Sequence, residues 1–401
     1  MRTPSSETFR FFMPTEIHCG VGVADDLQAH LSGLPSGPVA AVVDPGIAGQ
    51  KGVRKVIENL ERRGPLKVLD GPRGEPDFEY LETLKAAAGR PDLVAGIGGG
   101  SSMDSAKGLA IVLNNPGPCE QYQGKDLYKN PGVPCVTVPT LFGSGAEITP
   151  SAVFVNRAAN RKGGINGRAV FPRLALVDPC LMLEAPLSIA AATAMDGLVH
   201  AIESYAARCA TPVTRTLAGD AARVLFAALV ILDDSHRRLE ALTLLADGAF
   251  KAILSLMHSE QGLTGAASYP MGVHCAVPHG VAGGRALPHA LRLNESRRPG
   301  LWDGMAARAL DWTGKDGLSS AEALAGRLSV IANRYGVPGL SRWLVGADLD
   351  LLARDTHAFR GIMDQNPVDL DFRSIREFFA VLAADGADRQ PAKTHSHPAI
   401  F

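Results

Sequence analysis

The sequence has 401 residues, of which 46% are hydrophobic and 20% are charged, and its formal net charge is −1. A chain of this length is longer than a domain with a single small core and suits two domains, and its composition is that of an ordinary globular protein. Because Lys and Arg are scattered and the net charge is close to zero, neither nucleic acid nor an anionic membrane surface is expected as the main partner.

Three further features bear on where the protein works. No apolar run approaches about 20 residues, so no transmembrane helix is expected. The N-terminus lacks a basic head followed by an apolar stretch, so no secretory signal is expected. Six cysteines without CxxC spacing predict neither a disulfide framework nor a zinc knuckle. A reducing cytoplasm is therefore the expected compartment.

The first half alternates short apolar runs with helical stretches. Residues 39–49, 93–100 and 134–140 are apolar and rich in β-branched side chains. Residues 77–89 and 101–113 have a helical pattern. Strand and helix in alternation predict a doubly wound parallel sheet, which binds ligands beyond the carboxyl ends of its strands.

The second half has a different pattern. After about residue 184 the strand signal fades into Ala- and Leu-rich segments with helical periodicity. We therefore predict an α/β domain with a doubly wound parallel sheet over residues 1–184 and an all-α domain over residues 185–401. Residues 389–401 are predicted to form a loose tail whose two histidines lie in solvent.

The stretch GIGGGSSMDSAKG predicts a strand, a glycine turn and the start of a helix. Glycines let the backbone approach a pyrophosphate, Ser101 or Ser102 can cap the helix, and free N–H groups favour the anion. The alternative is a tight turn without a ligand. In that case Asp104 serves the helix dipole and Lys107 is a solvated charge.

Two other strand ends carry candidate cofactor residues. Asp44 can accept hydrogen bonds from an adenosine ribose and repel a 2′-phosphate, or it can simply form a turn before Pro45. The loop of residues 139–150 is rich in Gly and small hydroxyl side chains, and it either holds adenosine or is a flexible turn. Together the loops favour dinucleotide binding, with NAD(H) preferred to NADP(H).

Asp196 and His200 are four residues apart in AMDGLVHAIESY and therefore share one helix face. Such a pair can bind one metal ion, or it can form an Asp–His hydrogen bond. His279 lies in a compact PHG turn, where another ligand is expected. Fourteen residues before it, where a further ligand is expected, the sequence has Gly265.

In order and spacing, several stretches together resemble the iron-containing (group III) alcohol dehydrogenase family over nearly the whole chain. These stretches are MPTEIHCGVG, GIGGGSSMDSAKGLA, NNPGPCEQYQG, VPTLFGSGAEIT, AMDGLVHAIESY, PHGVAGGRALPHALRLN and NPVDL. The resemblance implies an N-terminal dinucleotide-binding domain, a helical C-terminal domain and hydride transfer in the cleft between them.

The resemblance also implies roles for individual residues. It assigns the glycine turn to the pyrophosphate, the loop after residue 139 to the adenosine side and a lysine to the ribose. With the strand-end and first-turn aspartates, the predicted cofactor residues are Asp44, Gly99, Gly100, Ser101, Asp104, Thr140, Phe142, Ser144 and Lys162.

The family binds its metal through one Asp and three His. Asp196, His200 and His279 match the Asp and two of the His, whereas Gly265 stands at the third His position and offers no side-chain ligand. Tyr269 stands where the family has a histidine close to the substrate. The sequence thus departs from the family twice within one site.

Two other histidines are candidates for the missing ligand. His258 lies two helical turns before Gly265, roughly 10 Å along a helix axis, and is poorly placed. His274 can reach inward from the loop before His279 or lie on the surface. Without a substitute, the two-His, one-carboxylate set suits Fe(II) but binds more weakly than four ligands. A metal-free site, with maleylacetate reductases as a precedent, is the alternative.

We therefore predict an NAD(P)(H)-dependent oxidoreductase, a homodimer, that interconverts an alcohol and its aldehyde or ketone. A divalent metal, Fe or Zn, would polarise the carbonyl group. Tyr269 and His274 are the candidate catalytic residues, with Tyr269 relaying a proton or only narrowing the pocket. The alternatives are a metal-independent, maleylacetate-reductase-like reductase of a polar or acidic carbonyl compound and a catalytically impaired cofactor-binding scaffold.

Overall fold

The structure is a computed structural model that describes residues 8–315 and 317–385. The predicted tail with its two histidines lies outside the described residues. The strands of the described part are β1 (Glu16–Cys19), β2 (Val39–Val43), β3 (Leu66–Asp70), β4 (Leu93–Gly98), β5 (Gly124–Lys125), β6 (Cys135–Pro139), β7 (Ser151–Asn156), β8 (Arg161–Asn166) and β9 (Leu174–Val177).

A six-stranded parallel sheet has the strand order β1-β9-β6-β4-β2-β3. The helices of this half are α1 (Leu27–His30), α2 (Lys51–Glu61), α3 (Phe78–Ala88) and α4 (Gly100–Leu113). Every residue of β2 is buried, and its side chains alternate between two separate cores on the two sheet faces. Burial on both faces explains the unbroken apolar runs of the sequence.

A second, smaller sheet does not appear in the sequence-based prediction. β7 and β8 form an antiparallel hairpin, and β5 pairs in parallel with β8. Phe154 of β7 is fully buried against Phe78 of α3, with 5.2 Å between ring centroids. The hairpin was missed because β8 has the sequence RKGGIN, whose charges and glycines are untypical of a buried strand.

The second half is helical in the described residues. Its helices are α5 (Leu187–Ala206), α6 (Pro212–Ile231), α7 (Arg238–Leu256), α8 (Leu263–Cys275), α9 (His279–Arg297), α10 (Asp303–Leu310), α11 (Ser320–Arg334), α12 (Ser341–Leu344), α13 (Leu349–Ala358), α14 (Arg360–Met363) and α15 (Phe372–Ala384). None of the helices in these residues is long and apolar enough to cross a membrane.

One apolar core unites the helices and also includes Phe142, Val177 and Met182 from the preceding part of the chain. The last strand ends at Val177 and α5 begins at Leu187, so the change from α/β to α lies close to the predicted residue 184. The domain boundary itself stays a prediction. All six cysteines lie in the described residues, and none forms a disulfide.

Candidate functional site

A glycine-rich turn joins β4 to α4 at the carboxyl edge of the main sheet. Gly98 has a φ of 145°, and a Cβ on it would lie 2.9 Å from Ser102 Oγ and 3.0 Å from Asp44 Cβ, so glycine is required. α4 has Gly99 as its N-cap and no side-chain cap. The expectation that Ser101 or Ser102 caps the helix is therefore wrong. The uncapped first-turn N–H groups can bind an anion.

The loop after β6 packs beside this turn. Thr140 donates its backbone N–H to Gly98 O at 2.9 Å, and a Cβ on Gly100 would lie 2.8 Å from Ser144 Oγ. Thr140 is buried, and Phe142 is 1% exposed within the helical core. Of the three residues predicted in this loop, only Ser144 lines a cavity of about 670 Å³ that also reaches the helical half.

Asp104 and Lys107 form an ion pair at 2.9 Å on the first turns of α4. The Lys107 side chain is fully buried and also donates to Thr149 Oγ1 and to the Ser151 carbonyl. The interpretation of Lys107 as a solvated charge is therefore wrong. A buried ammonium needs such partners, and these contacts fix α4 against β7.

Two other predicted cofactor residues have structural partners of their own. Asp44 follows β2, and its Oδ1 accepts a hydrogen bond from Gly46 N at 2.8 Å, as a turn-forming aspartate does. Lys162 on β8 forms an ion pair with Glu75, and its Nζ lies 5.3 Å from the ring centroid of Tyr269. Their contacts with a ribose stay predictions.

Asp196 and His200 of α5 meet His279, the first residue of α9. Asp196 Oδ1 lies 3.9 Å from His200 Nε2 and 3.7 Å from His279 Nε2, and the three donor atoms all lie within 4.8 Å of one another. These distances exceed hydrogen-bond lengths. Donors around one tetrahedral ion, each at about 2.0–2.2 Å from it, lie roughly 3.3–3.6 Å apart. The cluster therefore has dimensions that fit a metal ion.

The chemistry of the three side chains agrees with this spacing. Asp196 and His200 are 5% and 4% exposed, and His200 Nδ1 is buried without a hydrogen-bond partner in the described residues. Burial lowers the pKa of His279, against the opposing effect of Asp196, and so favours the neutral ring. Neutral imidazole is the form that ligates metals.

Gly265 lies in the first turn of α8, which contacts α5 through Glu203. The Glu203 carboxylate of α5 accepts hydrogen bonds from the backbone N–H groups of residues 262, 264 and 265 and so caps α8. Burial raises the Glu203 pKa, and these hydrogen bonds oppose that shift. α5 therefore holds the start of α8 as well as two members of the cluster.

Tyr269 lies one turn after Gly265 and borders two cavities. Its ring meets the His279 ring edge-on with 6.0 Å between centroids and packs on Phe359 at 5.1 Å. Burial raises the pKa of the phenol far above its usual range, so the hydroxyl keeps its proton near neutral pH.

The two alternative histidines face elsewhere. His274 Nε2 lies 2.7 Å from Asp355 Oδ2, in the lining of a second cavity of about 520 Å³. His258 contacts the backbone of Phe12 and stacks on Phe11. In the described residues neither belongs to the cluster of Asp196. A catalytic role of His274 stays a prediction.

The larger cavity, of about 670 Å³, brings the two halves of the chain together. From the α/β half it is lined by Gly100, Ser101, Asp104, Ser144 and Lys162, and from the helical half by Asp196, His200, Tyr269 and His279. Glu75, Gln261 and Arg168 also line it but were missed from the sequence, because no local pattern places them at a strand end or on a ligand-bearing helix face.

Comparison with known proteins agrees with this architecture. Residues 14–179 match the family described as iron-containing alcohol dehydrogenase, and residues 190–366 match its C-terminal family. The NAD-dependent methanol dehydrogenase of Bacillus methanolicus is 29% identical over 89% of this chain and 94% of that protein. The 1,3-propanediol dehydrogenase of Citrobacter freundii is 31% identical over 76% of this chain and 79% of that protein.

Solved structures extend the likeness to the fold. A 1,3-propanediol oxidoreductase superposes with a TM-score of 0.87 at 26% identity and covers 94% of this chain and all of its own. These likenesses confirm the predicted fold class and the predicted alcohol dehydrogenase type of oxidoreductase. With both halves matched, the chain belongs to the iron-containing alcohol dehydrogenase family.

Proposed function

We propose that this protein interconverts an alcohol and its aldehyde or ketone with a nicotinamide dinucleotide, in the cavity between its two halves. One observation carries the proposal: the uncapped N-terminal turn of α4 and the cluster of Asp196, His200 and His279 line the same cavity. A phosphate-binding turn and a metal-type cluster in one cavity suit hydride transfer at a polarised carbonyl group.

Each group of residues has a role in the proposed reaction that follows from its chemistry. When bound, the dinucleotide supplies or accepts the hydride, and a divalent ion polarises the carbonyl oxygen. The turn at Gly99–Ser101 offers N–H groups to the diphosphate, and Asp196, His200 and His279 would hold the ion. Tyr269 keeps a phenolic proton at the cavity wall, where it can pass to the developing alkoxide.

NAD(H) is the proposed cofactor in preference to NADP(H), since Asp44 places a carboxylate at the end of β2. The relative from Bacillus methanolicus carries NAD-dependence in its name, which supports the choice. We also propose a homodimer and a cytoplasmic location, on the basis of the family resemblance and the cysteine content.

A second candidate is metal-independent reduction of an acidic carbonyl compound. Lys125 and Arg168 line the cavity and can contact an anionic group of the substrate, and the same lining also carries the carboxylates of Glu75, Asp104, Asp126, Asp196 and Glu260. A relative from Bilophila wadsworthia, 28% identical over 70% of this chain, is named sulfoacetaldehyde reductase. The presence of Lys125 and Arg168 in the cavity is the observation that supports this candidate.

Turnover measurements separate the two candidates and the impaired scaffold. The chelator-treated protein is assayed with NADH and a panel of neutral and acidic aldehydes, before and after addition of Fe(II), Mn(II), Co(II) or Zn(II). The leading proposal expects turnover that depends on an added ion. Metal-independent turnover confined to acidic substrates would support the second candidate. NADH binding without turnover under any condition would contradict both.

A further inference from the structure

The side chain of Gln261 occupies the space where a side chain at residue 265 would begin. A Cβ on Gly265 would lie 1.9 Å from Gln261 Oε1, 2.5 Å from its Cδ and 2.8 Å from its Cβ. Such distances are far below van der Waals contact. A histidine at 265 and the present position of Gln261 therefore exclude each other.

Gln261 also has the surroundings of a ligand. It is 8% exposed and lines the same cavity as Asp196, His200 and His279. Within the described residues its carboxamide makes no hydrogen bond. The carboxamide oxygen and nitrogen keep some exposed surface, so the group is available to a partner in the cavity that the three metal-type side chains also line.

We propose that Gln261 Oε1 is the fourth protein donor of the metal site and replaces the imidazole that Gly265 lacks. The three donors come from α5 and α9, and Gln261 lies in the same cavity lining, next to Gly262, the N-cap of α8. The inference rests on the proposed metal-assisted function. Exchange of an imidazole nitrogen for an amide oxygen moves the preference of the site from Zn²⁺ toward oxygen-preferring ions such as Mn²⁺.

Metal affinity, measured by calorimetry on chelator-treated protein, tests the proposal without any need for activity. Gln261→Leu removes the donor and is expected to weaken Mn²⁺ binding at least tenfold. Gln261→Glu substitutes a carboxylate of the same length and is expected to strengthen it at least tenfold. Gln121→Leu, at an exposed glutamine that does not line the cavity, is the matched control and should bind as the parent does.

The outcomes are distinct. Parent-like affinity, within twofold, in both Gln261 variants overturns the assignment while leaving the metal site itself in place. If the parent binds none of Mn²⁺, Co²⁺, Fe²⁺ and Zn²⁺, metal assistance fails and the Gln261 assignment fails with it. Thermal unfolding of the metal-free variants shows whether either substitution disturbs the fold.

A double substitution tests whether the Gln261 side chain and a histidine at residue 265 compete for the same space. Gly265→His alone places its side chain against Gln261, so a small gain in Zn²⁺ affinity is expected. Gly265→His with Gln261→Ala frees the space and is expected to bind Zn²⁺ at least tenfold more tightly than the single variant. Equal affinity of the single and double variants would show that Gln261 does not hold this space and would overturn the assignment.

Discussion

Tyr269 is the residue at which packing and chemistry are hardest to separate. Its ring lies against His279 and Phe359, and the Lys162 ammonium lies over its face. All three contacts involve the ring rather than the hydroxyl group. Replacement by phenylalanine therefore removes the candidate proton donor and keeps the packing.

For Tyr269→Phe we expect kcat to fall by about 10²-fold, with KM nearly unchanged, because a general acid contributes mainly to the transition state. Steady-state kinetics with saturating cofactor measures both constants. Tyr269→Leu serves as the comparison, since it disturbs the ring contacts too. A kcat of the Phe variant equal to that of the parent would leave Tyr269 a packing residue.

Asp44 allows a test of cofactor choice by one side chain. A carboxylate near a 2′-phosphate is repulsive, so we expect kcat/KM with NADH to exceed that with NADPH by at least about tenfold, roughly 1.4 kcal/mol. Asp44→Ser keeps an acceptor for Gly46 N and should lower the ratio of kcat/KM with NADH to kcat/KM with NADPH. A parent enzyme that uses NADPH as well as NADH would contradict this role of Asp44.

At the scale of the element, the start of α4 is the feature on which cofactor binding depends. The helix follows a fully buried strand, and its first turn has no side-chain cap. The backbone at Gly99 is extended, and a Cβ there would meet only Leu141 Cδ1, at 3.4 Å. A larger side chain at this position can therefore be accommodated by the fold.

We expect Gly99→Val to fold as the parent does but to bind NADH at least tenfold more weakly, because the side chain keeps a diphosphate away from the helix N–H groups. Fluorescence titration of NADH measures the affinity. Gly49→Val is the matched control, since its added Cβ would meet no atom within 4 Å. Unchanged affinity in folded Gly99→Val would remove the turn from the cofactor site.

At the scale of the whole molecule, a carboxyl group buried beside the sheet makes the stability of the fold depend on pH. Glu147 follows β6, is 3% exposed, and its Oε2 has no hydrogen-bond partner in the described residues. Burial raises its pKa from 4.5 to about 7, although Lys107 opposes the shift. The folded state thus holds a proton that the unfolded state releases at lower pH.

The sign of the effect follows from this difference. Between pH 4.5 and about 7 the unfolded chain binds fewer protons, so the free energy of unfolding falls as the pH rises, by up to about 3 kcal/mol. Glu147→Gln should therefore stabilise the protein at pH 8 relative to the parent and much less at pH 4.5. Urea unfolding at both pH values measures this, with exposed Glu120→Gln as the control. An equal effect of Glu147→Gln at both pH values would contradict the buried charge.

The sequence by itself determined the class of the fold and brought together two of the three members of the metal-type cluster. Apolar β-branched runs predict buried parallel strands, because a strand covered on both faces has no polar side. The spacing of Asp196 and His200 places them together on α5 whatever surrounds the helix, because helical geometry is local. The glycine turn before α4 can be predicted for the same reason, because its backbone conformation depends on the residues within the turn.

Only the tertiary structure decided which distant residues meet. It brings His279 to Asp196, turns His274 toward Asp355, buries Lys107, and places the Gln261 carboxamide beside Gly265. A periodic pattern tells which face of a helix is buried but not which side chain of another element lies against that face. These contacts depend on how α5, α8 and α9 pack, so local sequence does not give their geometry, although the family resemblance predicts His279 as a partner of Asp196.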